Sequence, residues 1–385
     1  DKEKALDYFL KAGEKAQKIY AHNEAFSYLQ HTLELLEEKE GGLEQKARIT
    51  ERLGDIKEWI AETSACMEYW NKSLTLWDQL EDKKSISRLH VKMAHTLWDE
   101  LGDKNQAAEH HRMALEILEK EPESVELASL YEDISHMLWR SGARVDDALS
   151  WNQKAFELAE RLGNAEVLAR CYNNLAVFSV KSGELEKATK YYEQGLKIDL
   201  ENNLFGHAGL LYYNLLQNYW SDGEFQKAFE TALKGSELAK KVGDVYRLAG
   251  INFMLGGFYA CMGEMQKGIS MLEECLALCK RTKSTAGIPL VMGFLGICYR
   301  WLGEFDKSLQ CLMEAVDIAK KVGEYQSSGN ATLWLGELFM EMEDYAEAEK
   351  YFNESNSIYG KARDTEAQLT GAFPALSKLY LKKGE

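Results

Sequence analysis

The stretch from residue 295 to 323, LGICYRWLGEFDKSLQCLMEAVDIAKKVG, decides the fold. Apolar residues recur three and four apart on both sides of Gly303-Glu304, as two amphipathic helices meeting at a turn require. A glycine there suits a left-handed helix end, and the carboxylate after it lies near the positive end of the next helix. Gly296 stands inside the first helix, where glycine costs about 1 kcal/mol relative to alanine. The expected reason is close approach of two helix backbones, with small residues of the second helix as the facing surface.

Working outward, the same phrase returns along the chain. Gly102, Gly142, Gly183, Gly223, Gly263 and Gly303 follow one another at intervals of 40 or 41 residues. Ala61 and Glu343 stand in that column where glycine is missing, and Tyr20 fits one step earlier. Five residues after the turn come small side chains such as Cys66, Ala188, Gly268 and Ser308, and twelve after it Ser73, Gly195, Cys275 and Ser355. Seven before it stand Gly54, Ala176, Gly256, Gly296 and Gly336, and four before it Trp98, Tyr219, Tyr259, Tyr299 and Phe339. A weaker turn about half a period on is marked by Gly163, Gly243, Gly323 and, in one unit, Pro122. Each repeat is therefore expected to be two antiparallel helices. The units run approximately 1–40, 41–82, 83–122, 123–163, 164–203, 204–243, 244–283, 284–323 and 324–363, with a partial 364–385, as one solenoid. Departures are His95 and Leu216 in the small packing column, and His111 and Asn152 where an aromatic or leucine is usual. Pro374 is expected to break or kink the first helix of the last unit.

Composition agrees with helix. The chain has 385 residues, only three prolines, 45% hydrophobic residues and a formal net charge of −16. That acidic balance, without a long basic run, argues against nucleic acid. The longest mostly apolar stretch, residues 288–299, is too short for the roughly 20 residues of a crossing helix. The charged N-terminus has no signal-peptide apolar region, and seven cysteines are too sparse for a disulfide scaffold. A cytoplasmic protein with reduced, buried thiols is expected.

The sequence of small residue, aromatic, glycine turn, alanine, aromatic or leucine, alanine resembles the tetratricopeptide repeat. Residues 171–198, CYNNLAVFSVKSGELEKATKYYEQGLKI, look like the long-repeat subgroup found in LGN-type scaffolds and signalling ATPases. The opening, through HNEAFSYLQHTLELLEE at 22–38, resembles the helical arrays that follow the ATPase module of STAND-type regulators and some adenylate cyclases. The resemblance covers essentially the whole chain. It implies an all-α, right-handed superhelical solenoid of about nine helix pairs, whose first helices line a concave face. Both ends read as cut from a longer protein, and exposed terminal repeats leave self-association open.

The resemblance also places residues on the concave face: Asn173 and Lys181; Tyr213, Gln217 and Trp220; Phe253; Arg300 and Trp301. Tyr213, Trp220, Phe253 and Trp301 would serve as aromatic anchors for a protein segment. Asn173, Asn174, Asn214 and Gln217 would bond its backbone, and Arg170, Lys181, Arg247 and Arg300 its acidic groups. Asn174 has an alternative role, bonding helix backbone between units. A basic clamp for a C-terminal carboxylate does not recur in register. The partner is expected to be a protein or peptide segment, or another domain of the same chain, and the alternative role is the sensor arm of a signalling ATPase, cyclase or transcription regulator.

Chemistry is harder to find. There is no phosphate loop, no H-E-x-x-H and no G-x-S-x-G, so the chain is not expected to be an enzyme or to carry a cofactor. Cys275 and Cys279, with Cys261, Cys298 and Cys311 nearby, match no standard zinc spacing and read as small core residues. His95, His110, His111 and His136 fall in adjacent repeats. They read as hydrogen-bonded or surface side chains, against the alternative of a metal or catalytic cluster. No metal site is assigned from sequence.

Overall fold

The computed structural model describes residues 2–19, 21–38, 41–60, 62–99, 101–142, 144–282 and 284–384. Tyr20 and Ala61 of the turn column lie outside the described residues. The fold is an all-helical solenoid of consecutive antiparallel pairs, in two compact units, residues 1–244 and 245–385.

Unit 1 pairs α1 (Lys2–Lys18) with α2 (His22–Glu37), α3 (Leu43–Trp59) with α4 (Thr63–Gln79), and α5 (Lys83–Asp99) with α6 (Lys104–Leu118). It continues with α7 (Val125–Arg140) and α8 (Val145–Leu162), α9 (Ala165–Lys181) and α10 (Leu185–Glu201), then α11 (Phe205–Ser221) and α12 (Phe225–Val242). Unit 2 pairs α13 (Val245–Cys261) with α14 (Met265–Arg281), α15 (Gly287–Trp301) with α16 (Phe305–Val322), and α17 (Tyr325–Glu341) with α18 (Tyr345–Ala362).

The turn takes one form in the three pairs of unit 2. Gly263 and Gly303 have φ of 81° and 74°, the left-handed region where glycine meets no Cβ penalty. Glu343 adopts φ 62° in the same place without that freedom. In unit 2 the N–H after the turn reaches back to the carbonyl of the aromatic column: Glu264 to Tyr259, Glu304 to Tyr299 and Asp344 to Phe339, all at 2.9 Å. A lysine four residues past the turn then covers the ring, as Lys267 does over Tyr259 at 5.5 Å and Lys307 over Tyr299 at 5.3 Å.

The helix glycines permit the close backbone approach expected of them, with Gly256 facing Gly268 and Gly296 facing Ser308, and they also seat a large side chain. A Cβ at Gly54, Gly256, Gly296 or Gly336 would fall 2.4–2.7 Å from Trp70, Leu272, Leu312 or Phe352. The residue seated on each glycine is thus the large one of the second helix. Trp70, Leu312 and Phe352 are fully buried by that arrangement. The small columns lie against first-helix backbone, as expected. A Cβ on Gly268 would come 2.9 Å from the Gly256 carbonyl oxygen, and the Ser308 hydroxyl donates to the Gly296 carbonyl at 2.8 Å. Ser73 and Ser355 bond the Ala47 and Gly329 carbonyls in the same manner. In the sixth pair the sizes are exchanged, with Leu216 and Ala232 both fully buried.

At the C-terminal end, the helix interruption expected from Pro374 takes a specific form. A short α19 (Thr365–Ala367) widens into a π turn over Gln368–Ala372 and re-forms as α20 (Phe373–Lys383), with Pro374 in its first turn. The widened turn accommodates the missing proline N–H, and Leu379 is buried beyond it.

Unit 1 also closes on itself. The Trp59 indole, at the end of α3, lies where a Cβ on Gly206 of α11 would come within 2.6 Å. His22 stacks on Trp59 at 5.8 Å, and its Nε2 lies 3.1 Å from the Val242 carbonyl. Residues some 220 positions apart thereby join the first pairs to the sixth. Among the described residues no helix is long and apolar enough to cross a membrane.

Candidate functional site

Successive first helices touch across the pair boundaries: α5 with α7, α7 with α9, and α9 with α11 in unit 1, and α15 with α17 in unit 2. Helices in that contact form the inner side of a curved array. Side chains one repeat apart meet along these seams, and the two units fill them with different chemistry.

In unit 1 the seam is polar. Glu51 of α3 is buried and accepts from Arg88 Nε and Nη2 at 2.9 and 2.8 Å and from Lys92 Nζ at 2.9 Å, both on α5. Burial alone would raise its carboxyl, but the Arg88 hydrogen bonds and the Lys92 charge bring it down to about 2. Asp55 accepts from the same Lys92 at 2.7 Å and from Trp70 Nε1 at 3.0 Å. Further along, Arg170 of α9 pairs with the buried Glu132 of α7 and lies 3.6 Å from Asp133. Asn174 Nδ2 donates to Glu132 at 2.9 Å and to Asn152 at 3.2 Å, and Asn214 Nδ2 donates to Asn173 at 2.9 Å.

These bonds place three of the expected contact residues. Asn173 and Asn174 are buried, and with Asn214 they are engaged between repeats. Asn174 bonds side chains of neighbouring helices rather than helix backbone. Arg170 is likewise engaged inside the seam. Tyr213 is half-buried, while Lys181, Gln217 and Trp220 are exposed. Trp220 is 42% exposed and meets the exposed Phe225 edge-on at 5.0 Å.

In unit 2 the seam is aromatic. Phe253 of α13 packs edge-on against Phe294 of α15 at 4.8 Å, and Phe294 against Trp334 of α17 at 5.4 Å. Gly293 leaves the space that the Trp334 ring occupies. Arg300, nearly buried, donates to Glu337 at 2.6 Å with Glu341 at 3.6 Å, so its guanidinium is engaged within the seam. Trp301 is 56% exposed.

The seam had a sequence signal that the turn-column reading passed over. Ten residues before the turn the chain reads Glu51, Lys92, Glu132, Asn173, Tyr213, Phe253, alternating charge first and aromatic later. Nine before it stand Asp133, Asn174 and Asn214, then Phe294 and Trp334. The two departures from the aromatic column belong to the same network. His111 is buried against Asp133, and Asn152 donates to the Cys171 carbonyl at 3.3 Å. His95, expected in a packing column, is exposed and stacks on His136 at 6.4 Å. His90 and His110 face each other, Nδ1 to Nδ1, at 2.8 Å. Of the cysteines, Cys66, Cys171, Cys275, Cys279 and Cys298 are buried, whereas Cys261 is exposed. Burial pushes the Cys66 and Cys171 thiols up, which keeps them inert.

Comparison with known proteins bears on what this array is. No curated protein matches the chain by sequence. Among solved structures, a STAND signal transduction ATPase with a tetratricopeptide repeat sensor, from Pyrococcus horikoshii, is similar at 17% identity and TM-score 0.64. The likeness covers 88% of this chain and 50% of that one, so the chain spans half the length of that relative. A Rap protein complexed with competence and sporulation factor is similar at 16% identity and TM-score 0.55, over 84% of this chain and 99% of that one. Aspartyl phosphate phosphatase F from Bacillus subtilis gives 14% identity and TM-score 0.50, over 81% and 93%. At these identities the likeness is one of fold. The tetratricopeptide repeat sequence model matches residues 126–201, 247–321 and 286–361. By that match and by the helix pairs themselves, the chain belongs to the tetratricopeptide repeat family.

Proposed function

We propose that this chain is a non-catalytic binding array that takes up a segment of a protein on the first-helix face of unit 1, near the ends of α9 and α11. The observation that carries the reading is Trp220. A large aromatic ring 42% exposed beside a second exposed ring, Phe225, is an anchor for a partner's apolar side chain. Gln217, one turn earlier on α11, offers both a donor and an acceptor to an extended backbone. Lys181, at the end of α9, offers a cation to a carboxylate of the segment. The formal charge of −16 favours a protein segment over nucleic acid. A fold shared with a Rap protein solved in complex with competence and sporulation factor supports this reading.

The test is a peptide array probed with the full chain, followed by titration of the peptides captured. Trp220→Ala is expected to weaken binding about 30-fold or more, as truncation of an anchor does. Lys181→Glu is expected to weaken it selectively for acidic peptides. Binding unchanged by both would remove this surface from the reading.

A second reading follows from the likeness to the STAND sensor: the array acts as the sensing arm of a larger signalling protein. The gene surrounding this chain tests it, because a nucleotide-binding module encoded in the same frame is required. In unit 2, Trp301 is also an exposed ring, two residues before its turn where Trp220 stands three before, and Trp301→Ala is the control expected to leave binding unchanged.

A further inference from the structure

Five of the eight histidines, His90, His95, His110, His111 and His136, lie on α5, α6 and α7. The peptide-binding reading uses none of them. We propose that His95, Asp133 and His136 form a divalent transition-metal site that ties α5 to α7, with Zn2+ as the occupant the ligands favour.

The argument is geometric. One ring nitrogen from each histidine and one carboxylate oxygen of Asp133 all lie within 4.8 Å of one another. His95 comes from α5, while Asp133 and His136 stand three apart on α7, the spacing that puts two side chains on one helix face. Zinc bonds to imidazole nitrogen and carboxylate oxygen are about 2.0–2.2 Å, so tetrahedral donors sit roughly 3.3–3.5 Å apart. Closing the set requires a little over about 1 Å of movement from the widest separation. His95, exposed at the seam, can supply it by turning its ring, with no change in the backbone of either helix.

The donor set is also supported from behind. The carboxylate of Asp133 is buried and bonded to His111 Nε2, the outer contact that orients a ligating carboxylate. Arg170 lies 3.6 Å from Asp133, but its charge is held by Glu132, so the three groups together keep one net negative charge for a cation. Two imidazoles and one carboxylate select zinc-like ions over Ca2+ or Mg2+, which prefer oxygen, and leave at least one coordination position for water or a partner's side chain.

The same geometry explains why His95 occupies a packing column without packing. In the other repeats that column, whether Gly54, Ser135, Ala176, Leu216, Gly256, Gly296 or Gly336, is buried between the helices of its pair, whereas His95 is exposed and stacks on His136 of the next first helix. A metal held there would fix the α5–α7 seam as the ion pairs fix its neighbours.

Metal-stripped full-length chain titrated with Co2+ and, separately, Zn2+ by calorimetry and absorption spectroscopy tests the proposal. One equivalent is expected to bind, with the visible bands of low-symmetry Co2+, and Zn2+ is expected to displace it and raise the Tm. His95→Ala and His136→Ala are each expected to abolish the Co2+ bands at concentrations that saturate the parent chain. His111→Ala is expected to weaken binding by about 10–100-fold. His90→Ala and His31→Ala are expected to leave the bands in place, which excludes the His90–His110 pair and surface histidines. Circular dichroism of His95→Ala, an exposed position, separates loss of the site from loss of the fold. The proposal is overturned if the parent chain takes up no metal, or if His95→Ala binds as the parent does.

Discussion

The two seams show one repeat geometry closed by opposite chemistry. In unit 1, Glu51, Arg88 and Lys92, then Glu132 and Arg170, join successive first helices through charges. In unit 2 the first helices are joined instead by Phe253, Phe294 and Trp334, ring edge to ring face. Packed rings contribute net stability because they remove apolar area from water. Buried charges roughly recover their own desolvation cost, so a pair contributes mainly by penalising wrong registers, where a charge would lose its partner. The comparison teaches that a 40-residue repeat does not prescribe how its neighbours are joined, and that polarity of the seam can change along one chain.

The sharpest way to break the comparison is to remove the middle ring. Phe294→Ala is expected to cost about 3 kcal/mol, at the low end for phenylalanine because the ring is only half-buried. Urea unfolding followed by hydrogen exchange should show the loss in residues 245–385. A loss under about 1 kcal/mol there would mean the rings touch without supporting the seam.

Next comes the charge ladder. Glu51→Ala is expected to cost about 2–3 kcal/mol, discounted from a fully buried pair because Arg88 and Lys92 are partly exposed and Lys92 keeps Asp55. Replacing Glu51 and Arg88 together by Met and Leu, with Lys92 left on Asp55, should recover most of that loss. If the double variant is as unstable as the single one, the ladder contributes stability directly and the contrast between the seams is wrong.

Acid should separate the units. Glu51 ionises at about 2 in the fold and near 4.5 when unfolded, so its contribution is present above pH 4.5 and lost as pH falls toward 2. Burial, and then the neighbouring His110, push the His90 imidazole down to about 4. It stays neutral in the fold, so that contribution is present above pH 6.5 and lost as pH falls through 4. Hydrogen exchange between pH 7 and 3.5 is expected to show unit 1 loosening before unit 2. Simultaneous loosening would show that these groups do not govern acid stability.

A smaller effect is expected at the closure of unit 1. Gly206→Val must displace the Trp59 ring and is expected to cost about 1–2 kcal/mol, with faster exchange confined to α2, α3, α11 and α12. The smallest concerns the proposed contact surface. Trp220→Ala and Lys181→Glu should each change stability by less than about 0.5–1 kcal/mol, since both side chains are exposed. A large loss would mean that Trp220 belongs to the core and not to a docking face.

What the sequence determined by itself was everything set by local backbone preference and period: the helix pairs, the left-handed glycine at Gly263 and Gly303, and the columns of small residues. These follow from interactions within a few residues, which one chain displays in order. Tertiary structure decided which large side chain also seats on each glycine, here Leu272, Leu312 or Phe352. It also decided that Asn173 and Asn174 are engaged between repeats while Trp220 and Trp301 face out, and that His95 meets Asp133 and His136. Those outcomes depend on partners about 40 residues away on a neighbouring helix, and a side chain's rotation about its helix axis is settled only when that neighbour is in place.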